Sequence, residues 1–372
     1  LKVRQLAYNN LGISKRQFWA LFLFVFIAVT HAFIANEKYI VAKTNSGFEF
    51  FVNGDHASSG LKTLIPYSAN TIDKENRKVG PFSKQKVSSL YYRHWLGTDS
   101  LGRDVLAGII SGSNIALRVG FLTVIISLVL GVFFGFVSGY YGDYGIQLSK
   151  LKFVLWLVIT LICGFYAFYT SAWMSVVFMV LPIVLLIFFV KNASSISRGG
   201  FHFPFDTIIF RIIEVMTAIP SLFFILILLT LSGKPSILNV ILIIGFLRWP
   251  TVARHFRAEI LKIKQEQFID SAKSIGQTDF KIFLYHVLPM ASSPLIIVSA
   301  FGFSTAILLE STLSFLGIGV PLDVVTWGSL IKEARFHFDA WWMALFPGLM
   351  IYLSIFLFNS IGDSVNKKIR RI

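Results

Sequence analysis

Apolar residues in this chain come in long runs separated by short basic or turn-forming segments, and a run of about 20 is what a helix needs to cross roughly 30 Å of hydrocarbon. Phe18 to Ala35 is the first such run. It follows a tail, 1–16, that carries Lys2, Arg4, Lys15 and Arg16, which predicts a cytoplasmic N-terminal tail and a span over 17–35. A cleaved signal peptide would end in small residues, but Phe33 stands two residues before Ala35, so an uncleaved anchor is expected. The sequence starts at Leu1 rather than Met, which leaves the true N-terminus open. From 36 to 112 the pattern turns polar around isolated aromatics such as Phe48, Phe50 and Phe51, predicting an exported loop. Its lysines do not conflict, because loops longer than about 60 residues escape the positive-inside bias.

Asn114 to Tyr141 reads as a returning span, with Gly120, Gly131, Gly135 and Gly139 allowing another helix to approach closely. Phe153 to Val190 carries no charge and is about twice the length one span requires, which fits two helices joined near Tyr169 to Trp173, or a re-entrant pair. Val215 to Ser232 leads out, with a kink expected at Pro220. Ile237 to Ala253 leads back, with Arg248 and Arg254 at its returning end. A basic segment, Arg254 to Lys281, reads as a cytoplasmic loop. Pro294 to Leu316 and Ala340 to Ser360 then bracket an outside loop holding Asp323, Glu333 and Asp339. Lys367, Lys368, Arg370 and Arg371 close a basic cytoplasmic tail at 364–372. The expectation is eight spans with both ends inside.

Composition changes the picture in one direction only. Of the residues 55% are hydrophobic and 14% charged, too few charges to keep this much apolar area in water, so a soluble enzyme is excluded. The net charge of +15 is concentrated beside spans, where anionic lipid headgroups lie, and implies lipid rather than a nucleic-acid partner. One cysteine, Cys163, rules out a disulfide scaffold, and no metal-ligand spacing is present, so neither metal nor cofactor is expected.

The informative loop is Gln265 to Pro289. Phe268, Ala272 and Ile275 fall on one face of a short helix, Gly276 stops it, and Thr278 is placed to cap a second helix with a stripe of Phe280, Phe283, Leu284, Val287 and Leu288. Two readings fit: an amphipathic hairpin lying on the headgroups, or a knob that transmits a push from a soluble partner. Periodicity does not separate them.

The string Asp270-Ser271-Ala272, three residues, Gly276, nine residues, then His286-Val287-Leu288-Pro289 resembles the E-A-A-x3-G-x9-I-x-L-P loop of permeases in binding-protein-dependent ABC importers. Asp270 replaces the usual Glu, Ser271 the first Ala, and His286 the generic Ile, the last as in the dipeptide and oligopeptide branch. Gly97-Thr98-Asp99 with Gly102-Arg103-Asp104, Ala218 to Ser221, Glu310 to Gly317, Trp327-Gly328-Ser329 and Phe346-Pro347-Gly348 are similar to the same branch. The resemblance implies an all-α polytopic membrane protein: a type I importer transmembrane domain with a MetI-like helical core over 113–363. To it are added an N-terminal span, a long periplasmic loop over 36–112 and an inserted two-helix hairpin over 143–205. It also implies a coupling loop over 254–289, with Gln265, Phe268, Ile269, Asp270, Ser271, Ala272, Gly276, Leu288 and Pro289 as coupling residues. The implied partners are a second homologous permease, two ATPase subunits and an extracytoplasmic binding protein, in a bacterial cytoplasmic membrane. The implied substrates are di- or oligopeptides, although similar permeases also serve nickel chelates, opines and peptide antibiotics.

From the residues alone, Asp99 and Asp104 suit a turn and N-cap for an interfacial helix whose Val105, Leu106, Ile109 and Ile110 face lipid. Charge inside a span is costly, so Glu310 stands out: it reaches outer headgroups or water, or it lines a pore. With Phe303 and Pro220 it completes the candidates for pore or substrate contact. Arg211 and Glu214 read as an interfacial i, i+3 pair. Gly233-Lys234 lacks the first glycine and the Ser/Thr of a P-loop, and no G-x-S-x-G elbow occurs, so ATP hydrolysis is expected on separate subunits. The rival class is an ion-coupled secondary transporter built on an acid such as Glu310.

Overall fold

The computed structural model describes residues 12–44, 47–52, 59–144, 147–148, 155, 158–160, 162–163, 201–202 and 204–369. They fall into two compact units, one within Leu1–Gly131, Ile219–Val252 and Met290–Ile372, the other within Val132–Ala218 and Ala253–Pro289. Among the described residues five helices are long and apolar enough to cross a membrane, or six if one broken pair counts as a span. The hairpin expected within 143–205 lies, apart from scattered positions, outside the described residues.

The first unit opens with α1, Lys15–Ile34, started by a capping box in which the Gln17 N–H donates to Ser14 Oγ at 3.3 Å and Ser14 N–H to Gln17 Oε1 at 2.8 Å. The Gln17 amide also donates to the Ser360 and Ser364 hydroxyls, at 2.6 and 2.9 Å, on α11, Trp342–Ile369. Higher up, Asn114 Nδ2 donates to the Ala28 carbonyl at 2.8 Å. The N-terminal helix is therefore fastened at two levels, while Trp19, Phe22, Leu23, Phe26 and Val29 on its other side remain exposed, as a lipid-facing surface would be.

The polar segment after α1 contains β1 (Tyr39–Thr44), β2 (Gly47–Val52) and β3 (Ser59–Leu61), an antiparallel sheet in the order β2-β1-β3 with Val41 opposite both Phe50 and Leu61. The next helix, α2 (Val105–Phe136), continues through a π-helical turn at Val137–Tyr141. It begins before the expected Asn114. Asp104 is its N-cap, taking the Ala107 N–H at 2.6 Å. The capping expectation holds, but the interfacial one is corrected: Val105, Ile109 and Ile110 are buried and face no lipid. Val105 and Ile109 pack with Val325, Leu330 and Trp342.

The expected single kinked helix over 215–232 is instead two helices, α3 (Phe205–Ala218) and α4 (Ser221–Leu231), broken at Ile219 and Pro220. Proline lacks the N–H that would carry the ladder on. Next in this unit come the first part of α5 (Ile237–Ile263), then α9 (Ser292–Leu316), α10 (Trp327–Ala334) and α11. Glycines let the helices close: a Cβ on Gly120 would lie 2.5 Å from the Phe303 ring, and one on Gly131 2.4 Å from Val252 Cβ. Two indoles bind backbone, Trp327 Nε1 to the Ile109 carbonyl at 2.9 Å and Trp342 Nε1 to that of Thr98 at 3.0 Å.

The second unit holds the end of α2, α3, the end of α5, and α6 (Gln267–Ser274), α7 (Asp279–Ile282) and the start of α8 (Leu288–Met290), with a π-helical turn at Phe283–Val287. Strands β4 (Gln147–Leu148) and β5 (Phe201–His202) pair antiparallel, so the chain that leaves at 148 returns beside the same point at 201. Asp143 accepts from the Thr207 N–H and hydroxyl at 2.9 and 2.8 Å, tying the chain before 144 to the chain after 205.

Candidate functional site

The loop from Gln265 to Pro289 folds as a braced knob. In α6, Ile269 and Ala272 are the buried residues, while Phe268, Asp270 and Ser271 are exposed. The predicted stripe of Phe268, Ala272 and Ile275 is therefore corrected by one position: Ile269 carries the inward face and Ile275 is 75% exposed. Both helix hydroxyls turn back on their own backbone, Ser271 to the Gln267 carbonyl at 3.1 Å and Ser274 to that of Asp270 at 2.9 Å.

Gly276 ends α6 as expected. Its φ is +79°, its N–H donates to the Lys273 carbonyl at 2.9 Å, and the Gln277 N–H donates to Ala272 at 3.1 Å, a Schellman pair. No atom lies within 4 Å of where its Cβ would stand, so the backbone angle and not space requires glycine. Thr278 has the backbone geometry of an N-cap for α7, but its side chain makes no capping bond. His286 Nε2 lies 3.1 Å from Gln277 Oε1, linking the turn to the following π-helical stretch. In the second half Ile282 and Val287 are buried, whereas Phe280 is 69% exposed and Leu284 and Tyr285 also face outward, which corrects the predicted stripe there too. Pro289 is exposed and Leu288 half-buried.

The knob is braced by residues that sequence reading did not single out. Asp279 accepts from Tyr140 Oη at 2.7 Å and Tyr141 Oη at 3.2 Å. Lys264 Nζ donates to the Tyr140 carbonyl at 2.7 Å, and Lys273 Nζ lies 5.6 Å from the Tyr140 ring centre. Phe136 packs against Phe283 with ring centres 4.4 Å apart. Nearby, Asp206 takes Arg257 with both oxygens, Nε to Oδ1 at 2.7 Å, and accepts from Ser138. Pairs such as Asp206 and Arg257, far apart in the sequence, carry no local signal. Chemically the knob offers no nucleophile beside a base. It offers exposed apolar side chains, Phe268, Ile275, Phe280, Leu284 and Tyr285, along two short helices and the π-helical turn that follows.

The pore candidates sit in the first unit. Glu310 is 2% exposed and accepts from Ser314 Oγ at 2.6 Å and Ser311 Oγ at 3.3 Å. It therefore meets these serines within the chain, not outer headgroups or water. Phe303 is buried and stacks on Phe358 with ring centres 3.8 Å apart. Pro220 is exposed at the N-cap of α4. The Arg211–Glu214 pair forms at 2.8 Å between exposed side chains.

Residues 193–371 match the family described as binding-protein-dependent transport system inner membrane component. The chain is 29% identical over 291 residues to a dipeptide transport system permease protein of Alkalihalophilus pseudofirmus, covering 78% of this chain and 73% of the relative. It is 27% identical over 304 residues to a glutathione transport system permease protein of Pectobacterium atrosepticum, covering 81% and 78%. A crystal structure of an amino acid ABC transporter is similar over 72% of this chain and 95% of that one, at 16% identity and a TM-score of 0.40. Over most of its length the chain is thus similar to permease proteins of binding-protein-dependent transport systems, and among its described residues five helices are long and apolar enough to cross a membrane.

Proposed function

We propose that this chain forms half of a pore for di- or oligopeptides, together with a second homologous permease. Two ATPase subunits dock on the loops around 265–289, and an extracytoplasmic binding protein delivers substrate. The substrate class rests on the relatives, which are named for dipeptide and glutathione transport. The observation that carries the coupling role is the exposure of these apolar side chains on a knob whose backbone is fixed by Gly276 and Asp279. Large apolar side chains gathered on a rigid projection mark a partner surface. The loop and both chain ends are assigned to the cytoplasm, following the flanking basic residues.

Driving a pore from 1:99 to 99:1 between two states takes about 5.5 kcal/mol of differential binding. Closure of the ATPase pair against Phe280, Ile275 and Asp270 supplies it through α6 and α7. Asp270→Lys reverses an exposed charge on α6 without touching the buried Ile269 and Ala272. Membrane insertion should stay intact while peptide uptake and stimulated ATP hydrolysis fall by about tenfold or more. Unchanged uptake would exclude α6 from docking.

A further inference from the structure

Arg248 is a guanidinium without an answer. It lies within α5, and at 1.5 Å per residue its Cα stands about 16 Å along the helix from Ile237. The side chain is half-buried, and among the described residues no carboxylate, carbonyl or hydroxyl oxygen bonds it and no aromatic ring lies beneath it. By contrast, the buried Glu310 is answered by two serines.

The surroundings show where it points. A Cβ on Gly302 of α9 would lie 3.8 Å from Arg248 Nη2 and 3.4 Å from Val124 of α2. A Cβ on Gly245, one turn earlier on α5, would lie 2.9 Å from Ile126 and 3.3 Å from the Thr123 carbonyl. Three helices thus close on one another through glycines, and the Arg248 guanidinium lies beside the Gly302 position. Thr123, at the same crossing, keeps a buried hydroxyl with no hydrogen-bond partner among the described residues. Such groups are retained inside a membrane protein where something arrives to satisfy them.

We infer that Arg248 is an oxyanion site of the transport path, and that the carboxylate of the transported peptide is the group it takes. This rests on the peptide reading above. The planar guanidinium suits a carboxylate with two parallel hydrogen bonds, and a lysine there would offer only a point charge. A lipid phosphate presents similar oxygens, and the test separates the two.

Phenylglyoxal modifies guanidinium groups. The intact transporter complex, in detergent, is treated with it in the presence of trialanine or trialanine amide, and modification at Arg248 is followed by mass spectrometry. Trialanine should slow the reaction about tenfold, as one charge-assisted pair would, and the amide should not. Protection by both peptides or by neither overturns the assignment. So does protection without peptide that appears only in vesicles containing phosphatidylglycerol, not in pure phosphatidylcholine, which assigns the site to lipid. In uptake assays Arg248→Gln should lose about tenfold in trialanine transport while still co-purifying with ATPase activity, and Arg248→Lys should recover part of it. Full uptake by Arg248→Gln, or loss of assembly in both variants, overturns the site alone. Absence of peptide uptake by the unmodified complex removes the peptide reading and this one with it.

Discussion

His94 is buried with a carboxylate at each ring nitrogen: Asp104 at 2.8 Å from Nδ1 and Asp73 at 3.3 Å from Nε2. Tyr67 stacks on the ring at 4.2 Å, with its hydroxyl donating to the Tyr92 carbonyl. Burial favours the neutral imidazole, yet the two acids together outweigh it and raise the His94 pKa above its usual 6.5. Asp73, despite its partial burial, is held below 3.8 by bonds from Asn76 and His94. Burial, then the two acids, pushes Tyr67 up to about 12, so it stays neutral across the working range. The signs define a window. The histidine contribution is fully present below pH 6.5 and is lost as pH rises through its raised folded value; that of Asp73 is present above pH 3.8 and is lost as pH falls through its lowered folded value. Amide hydrogen exchange over 73–104, corrected for intrinsic rates, should accelerate between pH 6 and pH 9 in the unmodified protein and lose this dependence in His94→Gln. Equal protection at both pH values would contradict the clamp. Sequence reading did not single out His94, and Asp73, twenty-one residues away, is brought to its ring only by the fold. Gly102 allows that approach: its φ is +95°, and a Cβ there would run into the Asp73 carbonyl.

Among the elements, the five long apolar helices were legible as apolar runs, whereas the direction each face points was not. Val105 and Ile109 occupy one helix face whether they meet lipid or protein, and only α10 and α11 decide for protein. Phe268 and Ile269 are adjacent and both apolar, so periodicity does not decide between them; the fold buries Ile269 and leaves Phe268 exposed. The outer sheet escaped notice because β1 and β2 lack strict alternation, with Phe50 and Phe51 side by side. Glycine spacing in α2 was readable, and it carries a prediction. Gly120→Val should destabilise the protein by about 1–3 kcal/mol, since its Cβ meets the Phe303 ring and stacking on Phe358 leaves that ring little freedom. Thermal unfolding in detergent measures the loss, and shortening the obstacle in Gly120→Val/Phe303→Leu should restore part of it. A neutral single variant would mean the α2 and α9 crossing is looser than the structure has it.

For the whole molecule, the likeness to importer permeases was legible in motifs whose spacing is specific. The proposed partners and cargo rest on the resemblance and on the relatives' names, not on the geometry of this chain. The account depends on the Gln265 to Pro289 knob being the place where ATPase subunits engage. The direct measurement is co-purification from mild detergent of the unmodified chain and of Gly276→Pro, with bound ATPase quantified. Proline cannot adopt φ of +79° and removes the N–H that Lys273 receives, so the substitution dismantles the knob at its hinge. The account predicts ATPase and second-permease subunits with the unmodified chain, and loss of the ATPase from a still-folded Gly276→Pro. ATPase recovered equally with both, or with neither, would contradict it.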